Sequence, residues 1–388
     1  MVDRIGTWLR GFSRVTSSGR FIAEVDGLRF VAIAMVVVYH LNIYALTSYS
    51  DDISNTFALQ HLVRLGHYGV EVFFVLSGFI LALPFAYQSA SNREREFKFR
   101  KYLLRRLTRL EPPYLLILGM LLVFRLVVEK EVDYGETLSS AAASALYLHD
   151  IIYGTYSPLL GVAWSLEIEV QFYLLMPLFS YLLWKPIQLR FGLYLLVVVV
   201  FSLLEPRALL PVRSLMDYIQ YFFAGILVAD VYANRWHLKI SPWFATWGVF
   251  LAGIAFIIFS WDHGTKSHLD YLSTIDRVLP LLLATGFVCA FRSSLFKRVL
   301  RTPVLVIIGG MCYSIYLTHF AAISLTGKLV GRYFESISLE SFICLAVIAV
   351  LVVGAVYFRL VERPFMATTD LPWLKRILRL RDSTDAGS

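Results

Sequence analysis

Ten apolar runs, most of them close to the length that crosses a bilayer as a helix, dominate this chain. They fall at about 28–46, 67–87, 112–128, 160–183, 191–204, 215–233, 243–260, 276–291, 303–325 and 340–358. A hydrocarbon core about 30 Å thick needs roughly 20 residues of helix, whereas a barrel strand needs only ~9–11. In lipid the backbone must satisfy its own hydrogen bonds, which leaves helices or a closed barrel. Run length therefore predicts an all-α fold, a polytopic membrane helix bundle of about ten transmembrane helices. Composition opposes a soluble globule. Only 16% of residues are charged, against about a quarter in soluble domains, and the mean hydropathy is +0.65.

The formal charge of +8 does not call for nucleic acid. The basic residues sit in short loops between apolar runs, where positive-inside topology accounts for them. With an even number of spans both termini share one side. That side collects 26 Lys and Arg, Arg190 of the loop after the fourth run among them, against 7 in the opposite loops. The bias predicts both termini in the cytoplasm and a multi-pass protein of the plasma or inner membrane. No cleavable signal peptide is expected. Residues 1–23 read as a cytoplasmic segment, 24–370 as one membrane domain, and 371–388 as a basic amphipathic tail on the inner surface. Cys289, Cys312 and Cys344 have no metal-like spacing, so no metal is expected.

Ionisable residues inside spans are costly, and each is a functional candidate. Arg29 and His40 in the first span are eleven positions apart. Eleven steps of ~100° close to within ~20° of three turns, and the rise is ~16 Å. One helix face therefore joins the cytoplasmic interface to a group that can act as a base near neutral pH. The plainer alternative is a structural histidine bonded to another helix. A second concentration is Trp164-Ser165-Leu166-Glu167-Ile168-Glu169. Its two carboxylates point ~200° apart on a helix. Glu169 is expected to face inward and Glu167 to cap or to face a loop. Glu71 lies near the outer end of the second span, where Ser77 and Gly78 read as packing residues. Arg105, Arg106 and Arg109 form a basic cluster that is either topogenic or a phosphate holder. His319 and Glu362 are further candidates, with structural roles as their plainer reading. A transporter would also carry buried charges, but neither an internal repeat nor paired broken helices is legible.

Taken in order, these segments resemble the membrane-bound acyltransferase-3 family. The resemblance rests on Asp26-Gly27-Leu28-Arg29 with His40, on Gly69-Val70-Glu71-Val72-Phe73-Phe74-Val75-Leu76-Ser77-Gly78-Phe79, and on Arg105-Arg106-Leu107-Thr108-Arg109. It continues through Trp164-Ser165-Leu166 with Glu169 and Gln171-Phe172-Tyr173, then Ser314-Ile315-Tyr316-Leu317-Thr318-His319 and Glu362-Arg363-Pro364. It implies O-acyl transfer from acyl-CoA, in the first instance acetyl-CoA, to a hydroxyl of a surface polysaccharide or its lipid-linked precursor. A small molecule such as a macrolide is the rival acceptor. It further implies His40 and Glu169 as catalytic residues, and Arg29, Arg105, Arg106 and Arg109 around the donor. Glu71, Trp164, Ser165, Glu167 and His319 would meet substrate. Donor, hydroxyl acceptor and membrane lipid would be the partners, with no permanently bound cofactor. Two departures stand out: Glu71 occupies a place that is commonly Asp, and Glu167 one that is often small. The appended hydrolase-like domain of some members is not part of the sequence, which reads as a stand-alone transferase.

Overall fold

A computed structural model describes residues 21–48, 62–91, 99–129, 133–204, 212–234, 240–260, 274–333 and 337–366. The expected amphipathic tail and most of the N-terminal segment lie outside these residues. Among the described residues the chain is helical, with no strand. The helices are α1 (Ala23–Ser48), α2 (Gly69–Ala90), α3 (Phe99–Val128), α4 (Tyr134–Ala145) and α5 (His149–Tyr153). Then come α6 (Trp164–Ser180), α7 (Ile187–Leu203), α8 (Ile219–Ala233), α9 (Pro242–Ser260) and α10 (Thr274–Ala290). The chain closes with α11 (Ser294–Leu300), α12 (Pro303–Gly310), α13 (Cys312–Tyr333), α14 (Leu339–Tyr357) and α15 (Arg363–Met366). A π turn over Phe358–Glu362 joins the last two.

Six described segments are long and apolar enough to cross a membrane, and there are eight if each bent pair counts as one span. The chain is a multi-pass membrane protein. Two of the expected ten spans, α7 and α8, have 17 and 15 residues and fall short on length alone. Two others are not straight. The axis turns by 93° between α10 and α11 and by 73° between α12 and α13. The sequence reading expected no broken helices, and these two pairs correct it.

Burial sorts the helices into layers. Nearly every residue of α8 is buried, as expected of a helix apolar all round. By contrast α9 exposes Trp243, Phe244, Trp247 and Leu251. So large an apolar face on a monomer marks contact with something other than water, and here lipid supplies it. The centre is held by small residues, because a glycine lets two backbones approach where a Cβ would collide. A Cβ on Gly78 would strike the Phe222 carbonyl oxygen, and one on Gly225 would strike that of Val75. This reciprocal contact locks α2 against α8 and gives Gly78 its expected packing role. In the same way Gly309 presses α12 onto the Asp26 carbonyl at the start of α1. The break after Gly310 therefore sits beside the Asp26–Arg29 segment.

Buried charges have partners. Arg190 Nε lies 2.8 Å from Asp230 Oδ2, both almost wholly buried. Arg190 also donates to the Leu183 carbonyl at 2.6 Å and to Ser89 Oγ at 3.3 Å. Asp230 further accepts from Asn234.

Candidate active site

Where α1, α2, α3, α6 and α13 converge they enclose some 920 Å3 of empty space, its mouth included. On α2 the lining residues run from Leu81 to Val70, a rise of about 16 Å. The cavity is therefore a channel along the helices, and its wall is mostly apolar.

Three of the expected cations line it: Arg29 from α1, and Arg106 and Arg109 from α3. Spacing explains the pair on α3, since positions three apart share a face. Arg105 lies outside the lining and is exposed. Arg29 is aimed by Asp26, whose Oδ1 accepts its guanidinium at 2.7 Å. Arg106 lies over the Tyr102 ring, 5.9 Å from its centroid. Nearby, the buried Glu362 accepts from the Ser314 backbone N–H at 3.1 Å and from its hydroxyl at 2.5 Å. The carboxylate thus ties the start of α13 to the π turn after α14.

Further along the channel Glu169 faces inward, as its helical phase predicted. Its Oε1 accepts from Ser77 and from Tyr173, each at 2.6 Å. Neither hydroxyl was legible as a functional group; Ser77 read as packing and Tyr173 as part of a motif. The channel is also lined by Ser165 and Tyr316. These two hydroxyls lie 2.7 Å apart, and Tyr316 donates to the Val162 carbonyl at 2.8 Å.

His40 stands outside this lining, behind Tyr316. The Tyr316 carbonyl is 2.7 Å from His319 Nδ1, and His319 Nε2 is 3.2 Å from His40 Nδ1. The two imidazoles meet edge on, with centroids 4.8 Å apart. His319 is completely buried and His40 half-buried. Bringing together residues 279 positions apart is the work of the break before α13, which no local pattern announces. Glu169 bonds Ser77 and Tyr173 and not His40.

The remaining candidates lie around this centre. Glu71 is buried on α2 and acts electrostatically on Tyr316, but it does not line the channel. Trp164 packs against Tyr218, with centroids 5.3 Å apart, and against Phe74 and Arg213. Of the two expected roles, capping or facing a loop, Glu167 takes the first, at the start of the short helix α5. Its Oε2 accepts the Asp150 backbone N–H at 3.0 Å, and Asp150 pairs with Arg213 at 3.0 Å. Glu167 thereby staples the α4–α6 connection onto the start of α6. Glu167→Ala would strand buried donors, at a cost of roughly 1–3 kcal/mol. Thermal unfolding in detergent should show the loss, and Glu167→Gln, which keeps an acceptor, should show less of it. Among the described residues, no group of three or more His, Cys, Asp or Glu is arranged to hold a metal.

The sequence profile described as "Acyltransferase domain" matches residues 22–358, nearly the whole described bundle. The chain belongs to this acyltransferase-3 family. Among curated relatives, peptidoglycan O-acetyltransferase OatA of Listeria monocytogenes is 25% identical over 383 residues, covering 92% of this chain and 58% of its own. YrhL of Bacillus subtilis, provisionally named a peptidoglycan O-acetyltransferase, is 32% identical over 179 residues, 42% of this chain and 24% of its own. This acyltransferase-3 chain therefore spans less than two thirds of the length of the curated relatives it matches. No solved structure matches it.

Proposed function

We propose that the chain is a membrane O-acyltransferase that moves an acyl group, in the first instance acetyl, from acyl-CoA to a sugar hydroxyl. The observation that carries this reading is the channel with three arginines along it and a histidine pair behind its Tyr316 wall. Arginine forks suit phosphate geometry. An apolar channel about 16 Å long suits an extended pantetheine arm, with the thioester directed towards Tyr316 and the histidines. His40 then either removes the acceptor proton or carries the acyl group transiently. Glu169, held by two hydroxyls, is left to hydrogen-bond what enters the channel.

The names of the relatives favour a cell-envelope polysaccharide, peptidoglycan among them, or its lipid-linked precursor, as acceptor. A small hydroxylated molecule fits the geometry equally, but no residue lining the channel selects it. The charge bias supports ten spans with both termini in the cytoplasm of the cell membrane, and so a donor taken from the cytoplasm.

Arg106 gives the direct test of donor binding. Removing a hydrogen bond to a charged group costs ≈ 1.5–3 kcal/mol, so Arg106→Ala should raise the KM for acetyl-CoA roughly ten-fold or more. Its kcat should change much less. An unchanged KM in reconstituted vesicles would remove the arginine group from the donor site.

A further inference from the structure

We propose that His319 is a positioning residue: it holds His40 as the Nδ1–H tautomer, so that the lone pair on His40 Nε2 is the reacting atom. This rests on the reading of His40 as the reacting group and goes beyond it by assigning the atom and its support.

The assignment follows from what each ring nitrogen faces. His319 Nδ1 lies 2.7 Å from the Tyr316 carbonyl and 3.2 Å from that of Ile315. Carbonyls only accept, so this nitrogen carries the hydrogen. A neutral imidazole has one N–H, which leaves His319 Nε2 as an acceptor. That acceptor is 3.2 Å from His40 Nδ1, which is also 2.9 Å from the Val36 carbonyl. Two acceptors converge on His40 Nδ1, so the hydrogen of the neutral His40 ring sits there. His40 Nε2 is left with a lone pair and has no hydrogen-bond partner among the described residues.

The opposite tautomer would set a His40 lone pair against the Val36 carbonyl and the His319 lone pair together. Relieving that would require a second proton on His319. A cationic imidazole at a fully buried position inside the bundle is expensive.

The arrangement matters most during reaction. In direct transfer the acceptor O–H bond breaks and its proton goes to His40 Nε2 as the oxygen bonds to the acyl carbon; the C–S bond then breaks and the proton passes to the departing CoA thiolate. In the two-step route a bond forms from Nε2 to the acyl carbon as the C–S bond breaks and the thiolate leaves; the acceptor oxygen then bonds to that carbon as the N–C bond breaks, and the acceptor proton passes to the freed Nε2 and on to the thiolate. Either way the His40 ring becomes cationic. Its Nδ1–H is then a stronger donor, and the His319 lone pair is already in place to receive it, so stabilisation needs no reorganisation. Val36 alone offers a carbonyl from the same helix, with no second helix to fix the ring.

The test compares His319→Leu, which cannot accept, with His319→Gln, whose amide oxygen can take the place of Nε2. Each is reconstituted in vesicles with acetyl-CoA and a soluble peptidoglycan disaccharide, and free CoA and acetylated sugar are measured. Partner groups that orient metal-bound histidines are typically worth 10–100-fold, and by analogy His319→Leu should lower kcat by about that factor and leave the KM for acetyl-CoA within about two-fold. His319→Gln should recover most of the loss. Nitrogen-15 spectra of the histidine-labelled wild-type protein should show His40 protonated at Nδ1 and bare at Nε2, a readout that needs no variant to fold. Equal losses in the two variants at equal thermal stability, or a wild-type His40 protonated at Nε2, would overturn the proposal. His40→Ala at full activity would instead overturn the underlying reading.

Discussion

His40→Ala is expected to lower acyl transfer by about 10²- to 10⁴-fold, the range over which a positioned acid–base group acts. Free CoA and esterified acceptor should fall together, because both routes through His40 use the same nitrogen. The loss should lie in kcat. His40 does not line the channel that would hold the donor, so the KM for acetyl-CoA should move little. Folding should also survive, since His40 is only half-buried, its hydrogen-bond partners are one carbonyl on its own helix and the His319 ring, and its edge-on contacts with Tyr39 and Phe320 are peripheral. An unaltered melting temperature with lost turnover would separate chemistry from structure. A His40→Ala protein that turns over at the native rate would show the histidine pair to be scaffolding.

The second large effect is on stability. Arg190→Leu leaves Asp230 as a fully buried carboxylate without its cation. Breaking a buried pair from one side costs about 3–5 kcal/mol, a large share of the ~5–15 kcal/mol that holds a typical domain together. Little Arg190→Leu protein should survive extraction in folded form. Removing both charges tells the pair's net contribution from the cost of a stranded charge. Arg190→Leu combined with Asp230→Leu should be clearly more stable than Arg190→Leu alone, because no uncompensated carboxylate is left. Melting curves in one detergent check this, and a double variant as unstable as the single would contradict the account.

Arg190 also shows where sequence reading stops. Counted among loop cations, it served as a topology marker, yet it is buried against α8. The signal was present on the other side: Asp230 sits in an apolar run and needed a partner. Helical phase succeeded where the geometry is local. It put Glu169 inward and left Glu167 to cap α5. The longer reading of Arg29 and His40 on one face brought only Arg29 to the channel, and the grouping of Arg105 with Arg106 and Arg109 did not separate the exposed Arg105 from the two that line it. The pairing of His40 with His319 was out of reach, because it depends on a 73° turn between α12 and α13. The run 303–325 gives little warning of that turn beyond Gly309 and Gly310. Gly309 earns its place by backbone contact with Asp26, a tertiary fact. Span counting matched the six long helices and was less decisive for α7 and α8; burial among neighbours relaxes the length that lipid demands of α8, whereas α7 buries only Arg190, Tyr194, Val198 and Ser202 and is simply short.

The most direct measurement of the central claim is a double-label experiment on the full chain in vesicles. Acetyl-CoA labelled in the acetyl group is supplied with a peptidoglycan disaccharide, and free thiol and labelled ester are counted together. The account predicts one labelled ester on the sugar for each CoA released, with both lost in His40→Ala. Passage of either substrate across the vesicle wall with no thiol released and no labelled ester would contradict it.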